Sequence, residues 1–145
     1  MELTVKHFNE LSTRELHDIY SVRTAVFVVE QNCPYQEMDD ADLHAYHVWL
    51  RDSGGIQAYL RVLPKGARLD EVSLGRVLTV KRGAGLGNEL MRAGIRVAQE
   101  KFAASIIVLE AQVYARGFYE KSGFFQISDE FLEDNIPHIK MKLEL

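Results

Sequence analysis

The stretch SLGRVLTVKRGAGLG, Ser73 to Gly87, is followed by a segment of helical period and then by the apolar run SIIVLEA, and this order constrains the fold more than any other feature. Leu90, Ala93, Gly94, Val97 and Ala98 recur at the spacing of one helix face, which predicts a helix ending near Phe102. SIIVLEA is short and unbroken, the pattern of a central strand covered on both faces. Strand, glycine turn, helix and strand form a βαβ unit, which demands parallel pairing and a right-handed crossover.

The turn itself places three glycines within five residues, Gly83, Gly85 and Gly87. Glycine lets the backbone take positive φ, and a helix starting directly afterwards aims unpaired N–H groups at whatever lies before it, so a phosphate is the natural guest. Two common phosphate motifs are excluded. A P-loop would need glycine followed by Lys-Ser or Lys-Thr where Asn88 stands, and a dinucleotide fingerprint would need its third glycine at Asn88 or Leu90. What remains is R-G-A-G-L-G, a strand-to-helix turn opened by a cation, set against a glycine-rich connection that holds nothing.

The rest of the chain alternates between strand and helix periods. Thr4 to Phe8 reads as a strand, and Ser12 with Glu15 makes a capping box for a helix with the stripe Leu16, Ile19, Tyr20, Val26 and Phe27. Arg23 lies beside that stripe, and the plain expectation is a stem packed on the core with its head in water. HVWLR and IQAYLRVL, separated by Asp52-Ser53-Gly54-Gly55, read as an antiparallel hairpin. A last helix is expected at about Tyr114 to Lys121, and FFQIS and HIKMKLEL as closing strands. The fold class is α+β, a mixed and mostly antiparallel sheet flanked by helices with one parallel βαβ unit. With 145 residues and 47% hydrophobic content, one domain spanning residues 1–145 is expected.

Charge and cysteine content narrow the function classes. A net charge of -4 without a basic tract gives a nucleic-acid partner little electrostatic support. No apolar run is long enough for a bilayer, the opening MELTVKHFNE lacks the order of a secretory signal, and the lone Cys33 cannot form an internal disulfide. A cytoplasmic protein with no membrane partner is the expectation. Its oligomeric state is left open, with a homodimer among the options.

The turn, the apolar strand after it and the segment AQVYARGFYEKSGF together resemble the acyl-CoA-binding signature of the GNAT N-acetyltransferases. VFVVEQNCPYQEMDDAD and EDNIPHIKM make the resemblance specific to the ElaA-like branch, and these pieces cover the chain from about Arg23 to Met141. The resemblance implies acetyl-CoA as cosubstrate, with its pyrophosphate on Arg82, Gly83, Ala84, Gly85, Leu86, Gly87 and Asn88. It implies a pantetheine arm laid along Val77, Leu78 and Thr79, a further amide contact from Gln112, and Tyr119 as the acid that protonates the departing thiolate. Relatives carry a slightly longer spacer than Val80-Lys81 before the turn, so these strand contacts could move by a residue or two. The implied function is direct transfer of an acetyl group to an amine of a small molecule or peptide. The alternative is an acyl-CoA-binding module that does not turn over.

The base that neutralises the amine has two candidates. Glu30 closes the first helix, where the helix dipole disfavours a carboxylate unless its pKa rises or a cation stands nearby. His138 shares a strand face with Lys140, opposite Ile139, Met141 and Leu143, a position at which a histidine is usually exposed. Asp39, Asp40, Asp42, His44 and His47 lack EF-hand or zinc spacing, so no metal is expected. Together with Glu30 and Glu37, the carboxylates of this segment are expected to line the acceptor pocket and attract a cationic amine. Cys33 is expected to pack in that loop or its pocket wall, not to relay the acyl group.

Overall fold

The computed structural model describes residues 1–145. Its strands are β1 Glu2–His7, β2 Tyr46–Asp52, β3 Gly55–Leu63, β4 Val72–Thr79, β5 Ile106–Gln112, β6 Phe125–Gln126, β7 Phe131–Glu133 and β8 Ile136–Glu144. The helices are α1 Thr13–Arg23, α2 Leu86–Phe102 and α3 Arg116–Glu120. The sheet runs β1-β2-β3-β4-β5-β8-β6, with β7 also paired to β8. Only β4 and β5 are parallel, as the βαβ reading requires. The mixed, mostly antiparallel sheet expected from the periods is therefore borne out.

Local signals explain most boundaries. Ser12 accepts from the Glu15 N–H while the Glu15 carboxylate accepts from the Ser12 N–H, so the capping box starts α1 where the sequence places it. Beyond Arg23 the helix widens into a π-helical segment, Thr24–Glu30, which turns Val26 and Phe27 onto Trp49, Tyr59 and Leu78. On the opposite face of the sheet, α2 buries Leu90, Met91, Ala93, Val97 and Ala98 against Val48, Leu50, Leu60, Val62, Leu74 and Leu109. That burial is the main source of stability, at about 25 cal/mol per Å² of apolar surface removed from water.

The structure alters three expectations. The first strand ends at His7, because Phe8 opens a short 3-10 turn capped by the His7 ring. The last helix is shorter than its pattern suggests, with a 3-10 turn Val113–Ala115 preceding α3. Strand β7 has no counterpart among the expected elements. It exists because Asp134 and Asn135, at φ 50° and 62°, make a tight hairpin that folds Phe131–Glu133 back on β8.

Candidate active site

Strands β4 and β5 are in register only at Val72–Ile107 and Ser73–Val108. Beyond that point β4 stays paired to β3, out to Thr79, while β5 stays paired to β8, out to Gln112. The two strands thus splay apart, and the β4 backbone from about Leu74 to Thr79 has no strand partner on its β5 side. A register shift between Tyr59 and Arg61 marks a bulge in β4, where Arg76 takes a left-handed φ of 51°. The splay opens a cleft of about 1040 Å³ whose walls include Val77, Leu78, Thr79, Gln112 and Tyr119.

The glycine turn stands at one end of this cleft. Arg82 reaches the cleft wall, while Gly83, Ala84, Gly85 and Asn88, next to it in the chain, are exposed. Gly85 is the cap of α2 at φ 73°, and the first intrahelical bond runs from the Glu89 N–H to the Gly85 carbonyl at 3.4 Å. The N–H groups of Leu86, Gly87 and Asn88 therefore point out of the helix end, as an anion requires. Gly87 has a separate reason: a Cβ there would lie 2.6 Å from the Phe118 ring, so α2 and α3 meet only because it is glycine.

Tyr119 is buried on α3, edge-on to Phe118 and Phe124 at 5.1 and 6.2 Å, and it also lines the cleft. Burial, with a smaller contribution from Tyr114, raises its pKa and holds the phenol protonated. Gln112 is half-buried on the opposite wall, and its amide donates to the Gln31 side chain at 3.2 Å. Glu30 is exposed and paired with Arg82 at 2.7 Å, so the cation that its helix-end position calls for is supplied by the turn.

His138 corrects an expectation. It is only 8% exposed, stacked on Phe131, and lines the cleft from β8, beside Gln112 of β5. Its Nδ1 lies 2.6 Å from the Ile136 carbonyl. A carbonyl can only accept, so Nδ1 carries a proton, and Nε2 faces the Glu133 carboxylate at 3.6 Å. Strand parity puts the side chain on the correct face; the β7 hairpin then covers that face.

Arg23 is the second correction. Its head is not in water but fully buried, donating to Glu37 at 2.6 and 2.8 Å and to Asp42 at 2.8 and 3.0 Å. Arg61 closes on Asp39 and Asp42 at 2.6 and 2.9 Å, and Arg76 donates to the Glu37 carbonyl at 2.8 Å. These cations lower the pKa of Asp39 and Asp42 against the opposing effect of burial, keeping both ionised. Asp39 and Cys33 do line the cleft as expected, but three guanidiniums match three carboxylates. The segment is therefore not the free acidic patch that its composition implied; its charge locks the loop to the sheet.

His47 sits under the same knot. Its Nε2 donates to the Asp42 carbonyl at 3.1 Å, so Nδ1 accepts from the Tyr59 hydroxyl at 2.6 Å. Burial depresses its pKa from 6.5 to about 4. The unfolded chain takes up this proton near pH 6.5 and the folded chain resists it, so the contribution to stability is whole above pH 6.5 and is lost as pH falls toward 4. The loss is on the order of 3 kcal/mol. Urea midpoints across that window should fall for the natural protein and stay flatter for His47→Gln, which keeps one donor and one acceptor; parallel curves would remove His47 as the cause.

Sequence reasoning missed a further group at this end of the cleft. Arg68, in the loop 64–71, bridges Glu110 of β5, at 2.9 Å, and Glu133 of β7. Glu110 had one legible signal: it is the single carboxylate in SIIVLEA, on the strand parity opposite Ile107 and Leu109. No group of three or more His, Cys, Asp or Glu side chains is placed to hold a metal ion. No helix is long and apolar enough to cross a membrane.

A splayed parallel pair with a glycine turn and a buried tyrosine is a recognisable arrangement. The profile of the acetyltransferase (GNAT) domain matches residues 11–145. The chain is similar to a UPF0039 protein of Schizosaccharomyces pombe, at 42% identity over 149 residues, 100% of this chain and 98% of the relative. It is 37% identical to protein ElaA of Escherichia coli over 145 residues, covering 96% and 94% of the two chains. The crystal structure of that protein matches with a TM-score of 0.91 at 35% identity, over 99% of each chain. An acyl-CoA N-acyltransferase structure from Pseudomonas aeruginosa matches with the same TM-score of 0.91, at 36% identity and 99% coverage of both chains. Profile, relatives and backbone agree along nearly the whole length, and the chain belongs to the GNAT acetyltransferase family, in its ElaA-like branch.

Proposed function

We propose that the protein transfers an acetyl group from acetyl-CoA directly to an amine. The observation that carries this reading is the splay between β4 and β5, with Tyr119 in the cleft it opens. Backbone amides freed on β4 suit the amides of a pantetheine arm, which adds like a strand along Val77, Leu78 and Thr79. The pyrophosphate then rests on the turn Arg82–Asn88, and the Gln112 amide steadies the arm from the opposite wall. Such a pose brings the thioester toward the bulge at Arg76 and the Tyr119 phenol. The similar Pseudomonas aeruginosa protein is an acyl-CoA N-acyltransferase, which supports this use of the cleft. For the proton on the amine, His138 is the better placed candidate. Glu30 is held by Arg82 of the turn, whereas His138 lines the cleft from β8 with Nε2 free of any backbone partner.

Release of free CoA from acetyl-CoA across a panel of amines tests the reaction as a whole; no release with any amine would overturn it. The phosphate site has its own test. Gly85→Asp puts a carboxylate at the end of α2, where it favours the helix but repels a pyrophosphate, and the left-handed φ costs about 1–2 kcal/mol. Acetyl-CoA affinity, measured by calorimetry on folded protein, should fall by roughly a hundredfold or more. Unchanged affinity would remove the turn from cofactor binding. Gly87→Asp is a poorer probe, since its side chain would strike Phe118 whatever is bound.

A further inference from the structure

Resting on the acyl-transfer reading, we propose that the acceptor is an aliphatic ammonium ion that takes the place of the Arg68 guanidinium between Glu110 and Glu133. Arg68 reaches both carboxylates with one Nη atom, 2.9 Å from Glu110. One guanidinium is shared by two carboxylates: Lys140, opposite Glu110 on β8, forms no ion pair with it, His138 Nε2 stands 3.6 Å from Glu133, and the neighbouring Arg23, Arg61 and Arg76 are already matched by Glu37, Asp39 and Asp42. Two carboxylates sharing one guanidinium can accept a second cation, or a replacement for the first.

The place is also where the reaction needs an amine. Glu110 stands on β5 beyond its last paired residue with β4, so it faces the open splay, and its side chain is only 11% exposed. Arg68 comes from a loop, is one-third exposed, and can swing outward without disturbing the sheet. The second oxygen of Glu133 lies 3.6 Å from Nε2 of His138. An ammonium held by both carboxylates therefore shares the Glu133 carboxylate with His138, the candidate proton acceptor.

The step balances. The ammonium gives one proton to His138 Nε2, and the freed lone pair attacks the thioester carbonyl, forming the C–N bond. The C–S bond then breaks, and Tyr119 protonates the thiolate. The phenol is restored by the second proton of the attacking nitrogen, and the proton on His138 leaves to solvent.

The test uses the full chain, n-butylamine as a charged probe and trifluoroethylamine as one that is largely neutral near neutral pH. Binding of n-butylamine to the protein–CoA complex is measured by calorimetry, and KM for both amines by CoA release. Glu110→Gln and Glu133→Gln should weaken n-butylamine binding by roughly tenfold each, and raise its KM by a clearly larger factor than the KM for trifluoroethylamine. Arg68→Ala should have the opposite sign, tightening n-butylamine binding by several-fold because an internal competitor is gone. A purely structural Arg68 would not do so. Failure of n-butylamine to bind, indifference to both glutamine substitutions in variants with unchanged melting temperature, or weaker binding in Arg68→Ala would overturn the ammonium site. Binding that follows the expected pattern while no amine releases CoA would support the site and overturn the acyl-transfer reading alone.

Discussion

Tyr119→Phe is expected to lower turnover by about a hundredfold while leaving acetyl-CoA affinity near that of the natural protein. The ring is fixed by Phe118 and Phe124, and phenylalanine preserves both edge-on contacts, so only the hydroxyl is lost. Burial holds that hydroxyl protonated, which makes it a ready donor. The same burial makes complete ionisation costly. In the proposed reaction the phenol would therefore act first as a hydrogen-bond donor to charge developing on the sulfur, with full proton transfer following as the thiolate departs. The effect should fall on kcat and kcat/KM together, since the interaction is realised only as the C–S bond breaks. With chemistry limiting the rate, a kcat within about twofold of the natural protein would exclude Tyr119 from the mechanism. A large loss of acetyl-CoA affinity would instead make it a packing residue.

Periodicity made most of the scaffold readable. The α2 stripe, the unbroken SIIVLEA strand, the Ser12–Glu15 box and the glycine turn each report on neighbours within one element, and each appears in the structure where the sequence put it. The side chains that complete the cleft are of another kind. Arg23 meets Glu37 and Asp42, 14 and 19 residues away, and nothing in local spacing distinguishes such a guanidinium from one lying in water. Arg68 meets Glu133 across 65 residues, through a loop and a hairpin that local patterns do not both reveal. Strand parity assigns His138 the right face, yet its burial depends on β7, a three-residue strand too short for any pattern. Composition misled in the same way: of an acidic run on paper, Glu37, Asp39 and Asp42 are matched once the fold presents Arg23, Arg61 and Arg76 to them.

Removing the centre of that knot should be the most damaging single change in the protein. Arg23→Ala leaves Glu37 and Asp42 buried without their main partner, and breaking a buried pair from one side costs about 3–5 kcal/mol. The loss is one of desolvated charge more than of a missing contact, which gives it a distinctive remedy. Arg23→Met combined with Glu37→Gln removes one charge of each sign, keeps volume on both sides, and leaves Asp42 to Arg61, which already lies 2.9 Å away. The double variant should therefore recover much of the stability lost by Arg23→Ala, as read from urea midpoints above pH 6.5, where His47 makes no difference. Because the segment between Gln31 and Asp42 contributes to the cleft wall, the single variant should also raise the KM for an amine before it affects acetyl-CoA, whose arm is proposed to lie on β4. A double variant no more stable than Arg23→Ala would mean that the guanidinium acts through its packing against Tyr20 and Tyr59, 5.2 and 5.7 Å from its centre, and that charge is secondary.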